Sequence, residues 1–362
     1  MPIVAHNKLP AFNKLKKEGI LILDEKRAMN QHIRELHIGL LNMMPDAALK
    51  ATELQFFRLI GESNPIAQFF VHPFTLDSIR RDKRAQTHID EYYESFEQIR
   101  ELGLDALIIT GANVVGPELS NQPFWDSLIE VADWAYENVT STLCSCLATH
   151  ALMEFRYGQK RHAQDEKKWG VFNHKVTTHT HPLTVDINTH FDVPHSRWNT
   201  VYPEQFVEAG LRILVTEEDD SSVHLATSKD GIRTVFFQGH PEYDTISLLK
   251  EFKREVYLFI AGTLPEFPPV PENYLESFEQ AIMNEYRFYL LKAMQSGQDL
   301  PEFPESKIAS YLNNSWCDTA DALVGNWIGL IYQLTHQERA KPFMDHIDIN
   351  DPLGLDKKSL TE

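Results

Sequence analysis

Between residues 37 and 157 the chain alternates short, wholly apolar runs with stretches of helical period, and this alternation leaves little choice of fold. The run at 37–41 ends in Asn42-Met43-Met44-Pro45, where proline stops a strand. Asp46 can then cap a helix in which Leu49, Phe56, Phe57 and Ile60 recur at helical spacing up to Gly61. A second strand is expected near 69–71, a solvated charged stretch at 77–84, and one amphipathic helix over 89–102 closed by Gly103. The apolar strand at 107–110 runs into Gly111-Ala112-Asn113, and a helix begun by Pro123 covers 124–138. A strand at 139–145 passes through Cys146 into a helix over 147–157, with Leu147, Ala151 and Phe155 on one face. Strands this short and this apolar are covered on both faces, which requires a mostly parallel sheet with helices on both sides. The fold class is α/β.

Past Gly158 the texture changes to shorter strands, expected at 171–176, 212–216, 223–226 and 234–238, which can join the same sheet as antiparallel additions. A helix follows at 247–260, then a proline-rich patch at 265–271 and a helical C-terminal extension with helices near 274–295 and 323–334. The expected organisation is a main domain over 1–262, a helical extension over 263–335 that returns to the core, and a tail over 336–362. Residues 264–307 and 340–362 are expected to lie at the periphery. Composition narrows the partners. With 34 Lys and Arg against 52 Asp and Glu the formal charge is −18, which disfavours nucleic acid and anionic membrane surfaces. Apolar runs such as 256–261 fall far short of the roughly 20 residues of a membrane span. The lysines near the N-terminus are not followed by an apolar signal core, and three cysteines cannot build a disulfide framework. A cytoplasmic protein with free thiols is expected.

The segment TSTLCSCLATHALMEF carries the strongest chemical signal. A strand that turns sharply into a helix holds the turn residue exposed, with the helix N-terminus behind it to favour a thiolate. The turn needs small residues two positions to either side, and Cys144 and Ala148 provide them around Cys146. Centring the turn on Cys144 is the alternative, but the helix then starts too late. Two buried core cysteines would be the bland reading of the same segment. A second strand, at 234–238, ends in Gly239-His240-Pro241-Glu242-Tyr243-Asp244, where a base is followed by a carboxylate able to orient its ring. Cysteine and His-Pro-Glu at two strand ends on the carboxyl edge of an α/β sheet sit where ligands bind. Histidines 174, 179, 181, 190 and 195 also cluster, but no cysteine or HExxH motif completes a ligand set, so no metal is expected there.

These features resemble the class I glutamine amidotransferase-like superfamily, and within it the homoserine O-acyltransferase (transsuccinylase) family. The resemblance rests on LLNMMPDAALKATELQFFRLIG, DALIITGANVVGPEL, VTSTLCSCLATHAL, EKKWGVFNHKV, VPHSRW, FFQGHPEYD, EFKRE and NWIGLIYQLT, which follow the family's order over roughly residues 1–260 and 310–335. It implies a flavodoxin-like, glutamine amidotransferase-like fold for the main domain and no bound cofactor. The co-substrate would be an acyl-CoA, succinyl-CoA or acetyl-CoA, and the acceptor L-homoserine in the first step of methionine biosynthesis. By the same resemblance Cys146 carries the acyl group as a thioester, His240 is the base, Glu242 holds His240, and Lys167, Ser196 and Arg254 bind substrate. Leu147 and the loop Gly111, Ala112, Asn113 would contribute to the oxyanion hole. The family's loop continues with proline where this chain has Asn113. Three positions beyond Ala112 the family has a small residue with succinyl donors and an acidic one with acetyl donors, and this chain has Val115. Succinyl is favoured, since valine does not repel a carboxylate. Acetyl transfer to homoserine or serine, or a glutamine amidotransferase-type hydrolase, stands as the alternative. The family often forms homodimers, so a homodimer is possible.

Overall fold

The computed structural model describes residues 3–31, 33–63, 67–114, 116 and 118–358. Among them, eleven strands form one sheet: β1 (Ile3–Ala5), β2 (Ile22–Asp24), β3 (Glu35–Leu41), β4 (Gln68–Phe74), β5 (Ala106–Ile109), β6 (Ser141–Ser145), β7 (His162–Val176), β8 (His190–Thr200), β9 (Arg212–Glu217), β10 (Val223–Thr227) and β11 (Thr234–Phe237). Their order is β2-β1-β4-β3-β5-β6-β11-β10-β9-β7-β8. From β2 to β11 neighbouring strands run parallel, and from β11 to β8 they run antiparallel. The expected α/β sheet with antiparallel additions is therefore present. Side-chain alternation explains why both faces need cover: Ile108 and Leu143 enter one core, while Leu107, Ile109 and Cys144 enter the other.

Several local expectations are corrected. Strands β1 and β2 were not foreseen, because three residues are too few for a periodic signal. The helix expected over 89–102 is two helices, Lys83–Tyr92 and Phe96–Leu102. Ser95 and Gln98 form a capping box that starts the second, and the extended Tyr93 and Glu94 between them run beside β4. Strand β4 extends to Phe74 despite Pro73, since β1 has already ended there and needs no amide from it. The strand expected at 171–176 is the end of the fifteen-residue β7, and β8 was not foreseen; its histidines and polar residues hide a strand whose partner, β7, supplies the hydrogen bonds.

Among the described residues, parts of the segments expected at the periphery are packed into the body. Gly170 lies at φ 152 against residue 272, where a Cβ would come within 2.2 Å of the Glu272 carbonyl oxygen. Across this contact the Val171 N–H donates to the Glu272 carbonyl at 2.9 Å and the Glu272 N–H donates to the Trp169 carbonyl at 2.8 Å. The proline-rich stretch is thereby pinned onto β7, and Trp169, Phe252, Tyr286 and Phe303 share a core with it. The helix Cys317–Leu334 lies against the helix Asp46–Ser63 and drives Trp327 into the main core, where its indole donates to Ser141 Oγ at 2.8 Å. Beyond it Phe343 is buried in the same core, and Arg339 pairs with Glu35 at 2.6 Å.

Trp327→Ala is expected to destabilise the fold by about 3–5 kcal/mol, the range for deleting a fully buried aromatic ring. Urea unfolding measures this, and a loss below about 1 kcal/mol would show that the C-terminal helix is not part of the core.

Candidate functional site

The site begins with how two strand ends are locked together. β6 and β11 pair in parallel register, Cys144 beside Phe236 and Ser145 beside Phe237. One residue on, the Cys146 N–H donates to the Phe237 carbonyl at 2.8 Å, and Thr149 Oγ1 donates to the same oxygen at 2.8 Å. Cys146 is the cap of the helix Leu147–Tyr157 and is held at φ 50, ψ −105, a conformation costly to a residue with a Cβ. That strain lifts its side chain out of the sheet to a half-buried position, with the helix N-terminus behind it. Cys144, by contrast, is wholly buried within β6, and burial pushes its thiol far up despite the Arg156 charge. Cys146 is thus the thiol that geometry exposes to chemistry. Gly111 closes the other side: a Cβ built there would lie 3.7 Å from the Cys146 Cβ.

His240 follows β11 and points at the same place. The Gly239 backbone packs so tightly on β8 and β10 that a Cβ would come within 2.4 Å of Val193 Cγ1 and 2.8 Å of His224 Nδ1. The next N–H, that of His240, donates to the Pro194 carbonyl at 2.9 Å. Ring Nδ1 pairs with Glu242 Oε1 at 2.9 Å, and Tyr243 stacks on the imidazole with centroids 4.2 Å apart. Glu242 is itself buried, and Ser145 Oγ donates to its Oε1 at 3.4 Å. With Nδ1 committed to a carboxylate, Nε2 is buried with no oxygen or nitrogen partner and interacts with the Cys146 sulfur. Burial alone would lower the imidazole pKa; the Glu242 charge, then the charge of Cys146 and the hydrogen bonds to both, outweigh it and hold His240 well above its ordinary value. Nearby histidines behave oppositely. Burial pushes His150 down to about 3, His174 to about 4, and His195 and His224 well down.

A polar cluster adjoins this pair, organised by a residue that sequence reading missed. Glu251, on the helix Ser247–Ile260, accepts hydrogen bonds from Ser196 Oγ at 2.6 Å, Trp169 Nε1 at 2.9 Å and Tyr243 hydroxyl at 2.6 Å, and pairs with Lys167 at 3.5 Å. Burial raises its pKa, but Lys167, the two hydroxyl donors and His240 together bring it below the ordinary glutamate value. Burial lowers the pKa of Lys167, which Glu251 partly offsets, and the ammonium sits 4.0 Å over the Trp169 ring. Two expected ligands, Lys167 and Ser196, therefore meet at Glu251. The sequence held one clue: Glu251 lies one helical turn before Glu255 and three residues before Arg254, on the helix leaving His240. Arg254 is not drawn into this cluster; half exposed, it pairs with Glu255 at 3.0 Å. Lys167, Trp169 and Glu255 also line a cavity of about 540 Å³ closed by Leu264, Phe267 and Val270, so the proline-rich stretch borders the site.

The loop after β5 is fixed from below by Arg161, buried, whose guanidinium donates to the Val114 carbonyl at 2.9 Å and to that of Gly116. Ala112 is half-buried and Asn113 exposed; Val115 lies outside the described residues. The histidine-rich stretch does not converge. His179 and His190 are exposed, His181 caps a short turn, and His174 and His195 pair with each other at 3.2 Å beneath Gly239.

Comparison with known proteins follows from the whole chain. The family model for homoserine O-succinyltransferase matches residues 2–337. A homoserine O-succinyltransferase of Allochromatium vinosum is 62% identical over 355 residues, covering 98% of this chain and 99% of that protein. One of Thiobacillus denitrificans is 58% identical, covering 98% of this chain and 100% of that protein. Among solved structures, a glutamine amido transferase from Methylobacillus flagellatus aligns over 82% of this chain and 95% of its own at 13% identity, with a TM-score of 0.44.

Because folding raises the His240 pKa, the stability gained from its charged form is complete below pH 6.5, the ordinary value, and fades as pH rises through the folded value. Glu242→Gln removes the largest raising influence. The stability gap between the native chain and E242Q should therefore be widest below pH 6.5 and narrow toward alkaline pH in denaturation curves. A gap that widens with pH would contradict this electrostatic account.

Proposed function

The chain belongs to the homoserine O-succinyltransferase family, and we propose that it carries the succinyl group on Cys146 between two half-reactions. Its reaction, succinylation of the homoserine hydroxyl, is the first step of methionine biosynthesis from homoserine. Succinyl-CoA is the donor in this reading, and the CoA thioester together with the free cysteines supports a cytoplasmic setting. The observation that carries the mechanism is the meeting of Cys146 and the Glu242-held His240 at two locked strand ends.

In the first half-reaction the Cys146 sulfur attacks the thioester carbonyl. A new carbon–sulfur bond forms, the bond to CoA breaks, and His240 gives its proton to the departing thiol. Exchange of one thioester for another costs little free energy. In the second half-reaction the homoserine hydroxyl gives its proton to His240 Nε2 and attacks the acyl carbon; the carbon–oxygen bond forms and Cys146 leaves as thiolate. Each tetrahedral intermediate develops negative charge on oxygen. The Leu147 N–H, in the first helical turn and so without an intrahelical acceptor, is placed to receive it, joined by the loop Gly111-Ala112-Asn113. Glu242 keeps Nδ1 protonated, so Nε2 is the nitrogen that exchanges protons.

Homoserine is a zwitterion with a hydroxyl, and the polar cluster beside His240 offers complementary groups. Glu251 can accept from its ammonium, Ser196 and Lys167 lie at that carboxylate, and Arg254 can leave Glu255 to take the substrate carboxylate in a bidentate contact. Tyr243 joins this cluster to the base, bonding Glu251 while stacking on His240.

Brief incubation with succinyl-CoA should add one succinyl group to the intact protein, and L-homoserine should remove it. Cys146→Ala should abolish the adduct and lower turnover by roughly 10⁴-fold or more, whereas Cys144→Ala should retain both. An adduct that survives C146A would overturn the assignment. Glu251→Gln should raise the KM for homoserine roughly tenfold or more, the worth of one charge-assisted contact, with little effect on adduct formation from succinyl-CoA. An unchanged homoserine KM would remove Glu251 from substrate binding.

A further inference from the structure

We propose that His6, His72 and Glu94 form a site for one divalent transition-metal ion of the zinc class, remote in the sheet from Cys146. The three come from different parts of the chain: His6 follows β1, His72 lies near the end of β4, and Glu94 sits between the helices Lys83–Tyr92 and Phe96–Leu102. One ligand atom from each lies within 4.8 Å of the other two, a grouping that occurs at this one place among the described residues. His72 is buried, while His6 and Glu94 are half-buried, so an ion could enter from solvent and keep an open position. Glu94 is steadied by its N–H, which donates to the Pro73 carbonyl at 3.0 Å. Two imidazole nitrogens and a carboxylate with a free fourth position make a donor set suited to zinc.

The hydrogen bonds around these residues fix the lone pairs that a metal needs. His6 Nδ1 faces the Val4 carbonyl at 3.2 Å and must donate to it; the Asn7 amide nitrogen at 3.4 Å then meets an Nε2 lone pair. A backbone carbonyl holding one ring nitrogen so that the other can ligate is a recurrent arrangement in metal sites. His72 belongs to a longer chain of contacts. Glu35 Oε1 lies 3.2 Å from His37 Nε2, His37 Nδ1 lies 2.9 Å from His72 Nε2, and His72 Nδ1 lies 2.9 Å from Glu94 Oε2. Each of these three gaps joins two atoms that can both accept, so each needs one proton between them.

A divalent ion at the Glu94 end fits these contacts. His72 Nε2–H donates to His37 Nδ1, His37 Nε2–H donates to Glu35, and the metal fills the third gap between His72 Nδ1 and Glu94. At the far end Arg339 pairs with Glu35 at 2.6 Å. His37 and Glu35 would then be the outer partners that orient a ligating histidine and raise its basicity. The expectation from sequence was no metal, drawn from the histidines at 174–195; the set proposed here draws on other histidines, brought together only by the parallel pairing of β1, β4 and β3.

Full-length protein, stripped with chelator and titrated with Zn²⁺ alone, should bind one ion per chain and melt at a higher temperature with zinc. Cys146→Ala should bind equally well, which separates this site from the active-site thiol. His6→Ala and Glu94→Gln, both at half-exposed positions, should each weaken binding at least roughly tenfold, and Glu35→Gln by roughly 10- to 100-fold. With Co²⁺ in place of zinc the spectrum should lack thiolate charge-transfer bands. The proposal fails if the native chain retains no zinc, if H6A and E94Q bind as tightly as the native chain, or if binding is lost in C146A.

Discussion

The hydrogen bond from the Cys146 N–H to the Phe237 carbonyl is the contact on which the site depends. It extends the parallel pairing of β6 and β11 by one residue past the regular ladder, and it does so with Cys146 at positive φ. By accepting that N–H, the second strand helps to hold the strained turn in place. The same carbonyl accepts from Thr149, so the start of the following helix is tied to the strand that delivers His240. The Cys146 side chain and the His240 ring are thus set by one register rather than by two independent loops.

Around this pair the protein uses burial in opposite senses. His174, His195 and His224 are kept neutral beneath Gly239, forming a close-packed floor with no charge of its own. His240 is equally enclosed, yet Glu242 and Cys146 supply enough negative charge to reverse the effect. Glu251 repeats the principle nearby, a buried carboxylate kept charged by Lys167 and two hydroxyls. In a chain of net charge −18, Lys167 and Arg254 place two local cations on this side of the sheet, paired with Glu251 and Glu255.

Much of this was legible in the sequence, and the rest was not for physical reasons. The strand at 107–110 and the Cys146 turn could be read because continuous apolar runs and small flanking residues are local signals. His240 and Glu242 could be read because a strand end and a two-residue spacing are local too. Glu251 was missed because its meaning lies in partners at 167, 169, 196 and 243, which only tertiary packing collects. β8 was missed because its polar residues break the alternation, and its stability comes from pairing with β7. The peripheral reading of the proline-rich stretch failed for a related reason: Gly170 makes a close backbone approach possible that no periodicity reveals.

The central claim is that the acyl group rests on Cys146 before homoserine is engaged. Rapid mixing of the enzyme with succinyl-CoA alone, with released CoA thiol followed in time, tests this most directly. A fast burst of one CoA per chain, absent in C146A, is the predicted result; release of CoA only after homoserine is added would contradict it.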